Sequence, residues 1–387
     1  MTSARSIMKQ IVVGLAVAWS LFCLGILGLE LCARFLDLPQ NPRMYIEHPL
    51  YGTIRPPNLR VPSTWGDQKY AFQTNSLGFR GSEMGVAKPP GTFRIVFVGS
   101  SVVEGYGFPF ERTFPGLVEQ LLNEKLGSGL RVEVGAVSYP GNGSVHSLAM
   151  IANRILPLEP DLVLELDAAE FFWGLQRNYE PTMLFLAKPD DEKLGHALMR
   201  SSRFMEWASA LGTTGNGKDL LESSQAHRDL PTYDDLPESL LSRGLDRWML
   251  NLHRSALLCR DAGVQFGVLT QNWIYKEHMS APELDSIWLL YKLRNLVRWN
   301  LTPSVARRMV DAYNEGIRRV AENDRLILID LDRLIPKDLV HLADDVHPTK
   351  EGHAAIAAAV VSTLLEQKVF AAQPIVSTRN SSAAHRP

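Results

Sequence analysis

At 387 residues, 45% of them hydrophobic, the chain can hold one large domain or two modest ones and bury a substantial core, which excludes a disordered chain. A formal net charge of −2, with lysine and arginine scattered along the chain, leaves no basic stripe to neutralise phosphates and excludes nucleic acid as a partner. Three cysteines, Cys23, Cys32 and Cys259, make neither a disulfide framework nor a metal knuckle.

The first element is "IVVGLAVAWSLFCLGILGL", Ile11 to Leu29, which carries no charge. As a helix it spans roughly 28 Å at about 1.5 Å per residue, enough for the apolar core of a bilayer. A cleaved signal peptide is the rival reading, but the run exceeds the usual apolar region and no small-x-small cleavage pattern follows. "LELC" places Glu30 and Leu31 where a lipoprotein site needs small residues. The expectation is an uncleaved anchor over 11–33. Arg5 and Lys9 precede the span without an acid and put residues 1–10 in the cytoplasm, although Arg34 and Arg43 beyond it weaken that bias. The bulk of a single-pass inner-membrane protein then faces the periplasm or exterior.

Residues 34–92 carry "LPQNP", "RPP", "VPS" and "KPPG" with little sustained periodicity, which predicts an extended stem lying over a domain surface. A domain over 93–370 follows. "RIVFVG" leads into Phe114, Leu117, Val118, Leu121 and Leu122 at helical spacing, a βα unit. "RVEVGAV" precedes "SVHSLAMIANRIL"; "DLVLEL" follows; "RWMLNLHRSALLCRDAG" leads into "VQFGVLT" and "VARRMVDAYNEGIRRVAEN" into "RLILIDL"; "GHAAIAAAVVSTLLEQ" closes. Five strands alternating with helices predict a parallel sheet covered on both faces, a three-layer α/β/α sandwich with right-handed crossovers. Two insertions, at about 174–243 and 273–303, follow strands and are candidate lids. Trp273, Trp288, Tyr291 and Trp299 in the second serve either simple packing or contact with a lipid or acyl group. Residues 371–387 read as a disordered tail.

In such a sheet functional groups collect where strands end, here after Val98, Val137, Leu166, Thr270 and Ile329. After Val98 stand Gly99, Ser100 and Ser101. A serine hydroxyl there sits at a helix N-terminus that favours developing negative charge, or it merely caps the helix; the loop alone favours the cap. "LADDVHPTKEGHAAIAAAVV" changes the balance. A nucleophilic serine needs a base and the base needs an orienting acceptor, and Asp344 and His347, three residues apart, can supply both.

"FVGSSVVEGYG" and "DDVHPTKEGH" resemble the Gly-Asp-Ser-x-x-x-Gly and Asp-x-x-His-Pro blocks of the SGNH, or GDSL-type, hydrolase superfamily, specifically its membrane-anchored bacterial members. "NSLGFRG", "VSYPGNGS" and "PDLVLEL" add to the likeness, which runs from about Asn75 to Leu365 without the insertions. The resemblance implies a five-stranded parallel, flavodoxin-like sheet and no cofactor. It implies Ser101 as nucleophile, Ser100 in the place of the usual aspartate, His347 as general base and Asp344 as its orienting group. Oxyanion donors would be the N–H groups of Ser101 and Gly141, with Asn142 either a further donor or a turn residue.

The third block departs from the family. Where Gly-x-Asn-Asp is expected the chain has Ala168, Ala169, Glu170 and Phe171, so the donor amide is missing. Losing one such donor typically costs about 2.7–4 kcal/mol of transition-state stabilisation, and an ionised Glu170 beside an oxyanion would repel it. Three readings stay open: a hole completed by another group, an unusual substrate, or a degenerate site. His341, His347 and His353 lie near one another without the cysteines or carboxylates of a metal set. "NGS" at Asn142, "NLT" at Asn300 and "NSS" at Asn380 carry no inference.

The expectation is an extracytoplasmic esterase acting on acyl esters, acetyl among them, of a glycan or lipid. The alternatives are an O-acyltransferase for surface or exported polysaccharide, which needs an export or acyl-donor partner, and a degenerate domain that binds glycan.

Overall fold

The apolar N-terminal run lies in helix α1 (Thr2–Phe35), and the apolar window within its Met8–Phe35 portion has no residue buried against the rest of the chain. By length and composition this helix can cross a membrane. The computed structural model describes residues 2–36, 44–48, 51–65, 68–138, 143–167, 238–287 and 302–371, together with Ser202 and Phe204.

Beyond α1 the structure differs from the expected extended stem. β1 (Ile46–His48) and β2 (Gly52–Ile54) form one antiparallel hairpin, and β3 (Arg60–Trp65) and β4 (Gln68–Gln73) form a second. Along β3 Val61 is buried and Pro62 exposed, the period-two pattern of a strand with one covered face. Val61 packs with Leu59 and Phe72 in a small core of their own. Pro62 fits because a two-stranded ribbon leaves its edge N–H positions unpaired. The next strand, β5 (Arg80–Gly81), joins the main sheet.

That sheet is built from β6 (Thr92–Gly99), β7 (Arg131–Ser138), β8 (Leu162–Leu166), β9 (Gln265–Leu269) and β10 (Ile327–Ile329) in the order β10-β9-β8-β6-β7-β5. The pairings among β6 to β10 are parallel, and β5 lies antiparallel on β7 with Arg80 opposite Ala136. The sheet is thus six-stranded and mixed, where five parallel strands were expected; a two-residue edge strand carries no periodicity that would reveal it. Every residue of β6 is buried, as a central strand covered on both faces requires.

The connecting helices are α2 (Ser101–Glu104), α3 (Phe114–Leu126), α4 (Ser144–Met150, continued by a π turn over Ile151–Ile155), α5 (Glu238–Asp261), α6 (Ala281–Ser286), α7 (Pro303–Asp324), α8 (Leu331–Leu334) and α9 (Lys350–Glu366). α3 packs with α9, and α5 packs with α4 and α7. Right-handed crossovers put these two groups on opposite faces of the sheet. α5 begins at Glu238, inside the expected insertion over 174–243. The rest of that insertion, apart from Ser202 and Phe204, lies outside the described residues. Trp273 and Tyr275, at the start of the second expected insertion, are buried core residues, while Trp288, Tyr291 and Trp299 lie outside the described residues.

In chain order the five parallel strands run 2-1-3-4-5, so the order reverses between β6 and β8 and a crevice opens beyond their carboxyl ends. Gly99, the last residue of β6, is forced there: a Cβ on it would come within 1.9 Å of the Leu166 carbonyl oxygen on β8. The chain leaves the sheet at this point into Ser100 and Ser101.

Candidate active site

Ser100 is the N-cap of α2, in extended conformation, yet its side chain makes no capping bond and its Oγ is buried without a hydrogen-bond partner. Ser101 opens the helix, where its N–H has no intrahelical acceptor. Its Oγ lies 2.9 Å from His347 Nε2. Neither hydroxyl caps, then, and the two serines differ in what they face.

His347 is held by a loop that folds back on itself. Leu342 and Pro348 form an isolated antiparallel bridge, the Ala343 N–H donates to the His347 carbonyl at 2.8 Å, and the Thr349 N–H donates to the His341 carbonyl at 3.0 Å. Thr349 then caps α9, its Oγ1 accepting the Gly352 N–H at 3.0 Å. Gly352 is needed because a Cβ would come within 1.9 Å of the His341 carbonyl oxygen. "HPTKEGH" is therefore a helix start pressed against the turn that carries the imidazole.

Inside that turn Asp344 Oδ1 accepts the N–H groups of Val346 at 2.8 Å and His347 at 2.7 Å, and Oδ2 lies 2.7 Å from His347 Nδ1. An ionised carboxylate only accepts, so Nδ1 carries the proton; in the neutral ring Nε2 is bare and accepts from the Ser101 hydroxyl. Burial pulls the His347 pKa down, but the charge and hydrogen bond of Asp344, with the charges of Asp345 and Glu104, outweigh it and raise the pKa above its ordinary 6.5. Asp345 is fully buried; its Oδ2 accepts the Tyr275 hydroxyl at 2.9 Å and its carbonyl accepts the Ile274 N–H at 3.1 Å. The chain after β9 thus props the loop from below.

The hairpin region props the serine side. Arg55 makes a bidentate pair with Glu104 of α2, Nε to Oε1 at 2.7 Å and Nη2 to Oε2 at 3.0 Å, and both side chains are buried. Arg80 donates to the carbonyls of Glu104, of Gly105 at 3.2 Å and of Phe108 at 2.8 Å, fastening the turn that ends α2. Both guanidinium groups lie over the Phe72 ring, at 4.6 and 4.8 Å. Arg80 is aimed by Asn75, whose Oδ1 accepts the N–H groups of Leu77 and Phe79 and whose Nδ2 donates to the Ser82 carbonyl, each at 3.0 Å. That turn is the "NSLGFRG" stretch. Trp65, from β3, meets His347 edge-on at 5.2 Å between ring centroids and stacks on Tyr106 at 4.9 Å; Tyr106 is 5.7 Å from His347.

Of the expected site residues, the structure brings Ser101, His347 and Asp344 together; Gly141, Asn142 and Glu170 lie outside the described residues. Near the same sheet edge, Ser147 Oγ donates to Asp167 Oδ2 at 3.0 Å. Buried His146 accepts the Gly143 N–H on Nδ1, and burial lowers its pKa to about 4. The other two histidines of the C-terminal stretch face elsewhere. His341 pairs with Asp338 at 2.7 Å. His353 accepts the Phe114 N–H beside Phe108, its pKa pushed to about 3 by burial, then by Arg80 and His347. Among the described residues no group of three or more histidines, cysteines or carboxylates is placed to hold a metal ion.

Arg55, Trp65, Glu104 and Tyr106 were not singled out in the sequence. One partial signal existed: a glutamate in the apolar turn of a short helix.

Strand order, a serine at the switch point and an Asp-x-x-His turn bonded to it are the arrangement that the sequence resemblance to SGNH/GDSL hydrolases implies. No family model matches this sequence, and no curated protein does. Among solved structures, the chain is similar to TesA, with a TM-score of 0.39 and 15% identity over 70% of this chain and 97% of that one. It is also similar to Axe2, an acetylxylan esterase from Geobacillus stearothermophilus, with a TM-score of 0.41 and 14% identity over 70% and 94%. A GDSL-like lipase from Bacteroides thetaiotaomicron gives a TM-score of 0.38 and 13% identity over 72% and 88%.

Proposed function

We propose that the chain is a membrane-anchored serine esterase whose domain faces the periplasm or exterior, and that it cleaves acyl esters, acetyl esters among them, through an acyl-enzyme on Ser101. The observation that carries this reading is the relay Ser101 Oγ to His347 Nε2 to Asp344, in which each hydrogen has one consistent position. In the first half-reaction Ser101 Oγ bonds to the ester carbonyl carbon while its proton passes to Nε2; the alkoxy C–O bond then breaks and Nε2 returns the proton to the leaving oxygen. In the second, water gives a proton to Nε2 and its oxygen bonds to the acyl carbon; the acyl C–Oγ bond then breaks and Nε2 returns the proton to Ser101 Oγ, releasing the acid. The N–H of Ser101, with Gly141 and Asn142, would face the oxyanion. A hydroxyl in place of water turns the second half-reaction into acyl transfer.

An alkyl fluorophosphonate applied to the solubilised full-length chain tests the reading. Stoichiometric labelling that Ser101→Ala abolishes is expected. Absent labelling, or labelling that survives Ser101→Ala, overturns it in favour of a non-catalytic glycan-binding domain. Supplying an acetyl ester with a glycan acceptor then separates free acetate from acetylated glycan.

A further inference from the structure

The first turn of α4 is fastened on three sides. Asp167, the residue after β8, accepts the Ser147 hydroxyl at 3.0 Å, and Asn251 of α5 donates to Ser144 Oγ at 3.0 Å. The third fastener runs backwards: the Gly143 N–H donates to His146 Nδ1 at 3.2 Å, while the Gly143 carbonyl accepts the N–H groups of His146 at 2.9 Å and Ser147 at 3.2 Å. Ser144, His146, Ser147, Asp167 and Asn251 are all buried. Gly143, the N-cap, has no side chain to cap with. A glutamate or glutamine at the third helical position commonly reaches back to the N-cap N–H, and here an imidazole kept neutral by burial does so.

That bond matters because of what precedes it in the chain. Residues 139–142 alone separate Ser138, the last residue of β7, from Gly143. Ser138 lies opposite Gly99, so this stretch leaves the sheet beside the turn that carries Ser101. A short stretch held at both ends has few conformations open to it. Gly141 and Asn142, the oxyanion donors proposed beside the Ser101 N–H, fall within it, and the Gly143 N–H is already spent on His146. With the third-block amide missing from the sequence, the remaining donors carry more of the charge, and a misplacement of about 1 Å can cost about 10²-fold in rate. Resting on the esterase reading, we infer that His146 is a positioning residue for the oxyanion hole: by holding the Gly143 N–H it fixes the far end of the 139–142 stretch and so aims its donors at the ester oxygen.

The test uses the full-length chain in detergent, with fluorophosphonate labelling run to completion so that kcat is expressed per reactive Ser101. Two probes are compared: an acetyl ester, and a trifluoromethyl ketone, to which Ser101 Oγ adds while its proton passes to His347 Nε2 and the ketone oxygen becomes an oxyanion. His146→Leu removes the acceptor and keeps apolar bulk; His146→Gln returns an acceptor that can reach the Gly143 N–H. In His146→Leu, kcat should fall about tenfold or more with KM within about threefold, and ketone affinity should weaken by a factor similar to that in kcat. His146→Gln should recover both to within about threefold of wild type. An unchanged kcat per reactive serine, a loss confined to KM, a ketone affinity that does not follow kcat, or equal losses in the two variants overturns the inference and leaves the serine esterase standing. A His146→Leu chain with no reactive serine is replaced by His146→Ala, read by the same criteria; failure of both shows a need in folding alone and overturns the inference too. A wild type that does not label removes the esterase reading and this inference with it.

Discussion

The sheet and the hairpin region reach the same few atoms by different means. From the sheet side, Ser101 is placed by a strand end, and Arg94 and Glu133, opposite one another on β6 and β7, make a buried pair at 2.8 Å inside the layer. From the hairpin side, Arg55 crosses 49 residues of sequence to pair with Glu104, and Trp65 reaches His347. The sheet determines where the chemistry sits, while the hairpins brace and wall it. A segment that looks like a spacer because it is rich in proline can still supply part of a site.

The difference can be broken at its strongest point first. Asp344→Asn keeps the shape of the turn but favours the wrong imidazole tautomer, and kcat should fall by about 10⁴ with little change in unfolding temperature. Steady-state turnover of an acetyl ester beside a thermal melt checks this.

Next come the two buried ion pairs. Arg55→Met leaves Glu104 charged and unpartnered by Arg55, and Arg94→Met does the same to Glu133; each should cost about 3–5 kcal/mol of stability, read from denaturant unfolding. Only the Arg55 variant should also slow fluorophosphonate labelling measured under folded conditions, because only Glu104 belongs to the helix that carries Ser101. Equal labelling rates would erase the contrast between the regions.

A smaller effect is expected at Tyr275→Phe. It removes the hydroxyl that donates to buried Asp345 and should cost about 1–3 kcal/mol.

The smallest effect is on pH dependence. The base must be neutral, and its pKa lies above 6.5, so kcat/KM should rise through a midpoint above pH 6.5. The double variant Arg55→Met, Glu104→Leu removes one of the charges that raise that pKa and should move the midpoint down. Linkage has a fixed sign here. The folded state holds the His347 proton more tightly than the unfolded chain, so this contribution to stability is complete below about pH 6.5 and fades as pH climbs through the folded pKa.

Legibility followed the range of the interactions. The five parallel strands announce themselves because a strand buried on both faces is an unbroken apolar run, as in "RIVFVG". Asp344 and His347 were legible as a pair because they share one turn, whereas the choice of Ser101 over its neighbour Ser100 came from the resemblance to the SGNH blocks. β5 was invisible, being two residues long, and the π turn in "SVHSLAMIANRIL" leaves the helical pattern unchanged. "NSLGFRG" was noticed without its work being seen, since Arg80 acts on backbone carbonyls that no sequence pattern marks. Trp65 was missed because its partners, Tyr106 and His347, lie in other segments of the chain.

The junction between α1 and the first hairpin sets a working radius. From Phe35, where α1 ends, to Met44, whose carbonyl accepts from Arg55, the backbone can reach no farther than roughly 32 Å at about 3.6 Å per residue. With α1 in a bilayer, the Arg55–Glu104 clamp behind Ser101 is leashed to the lipid surface by that length. A domain so tethered would stay in a shallow layer above the membrane and move with its anchor in two dimensions.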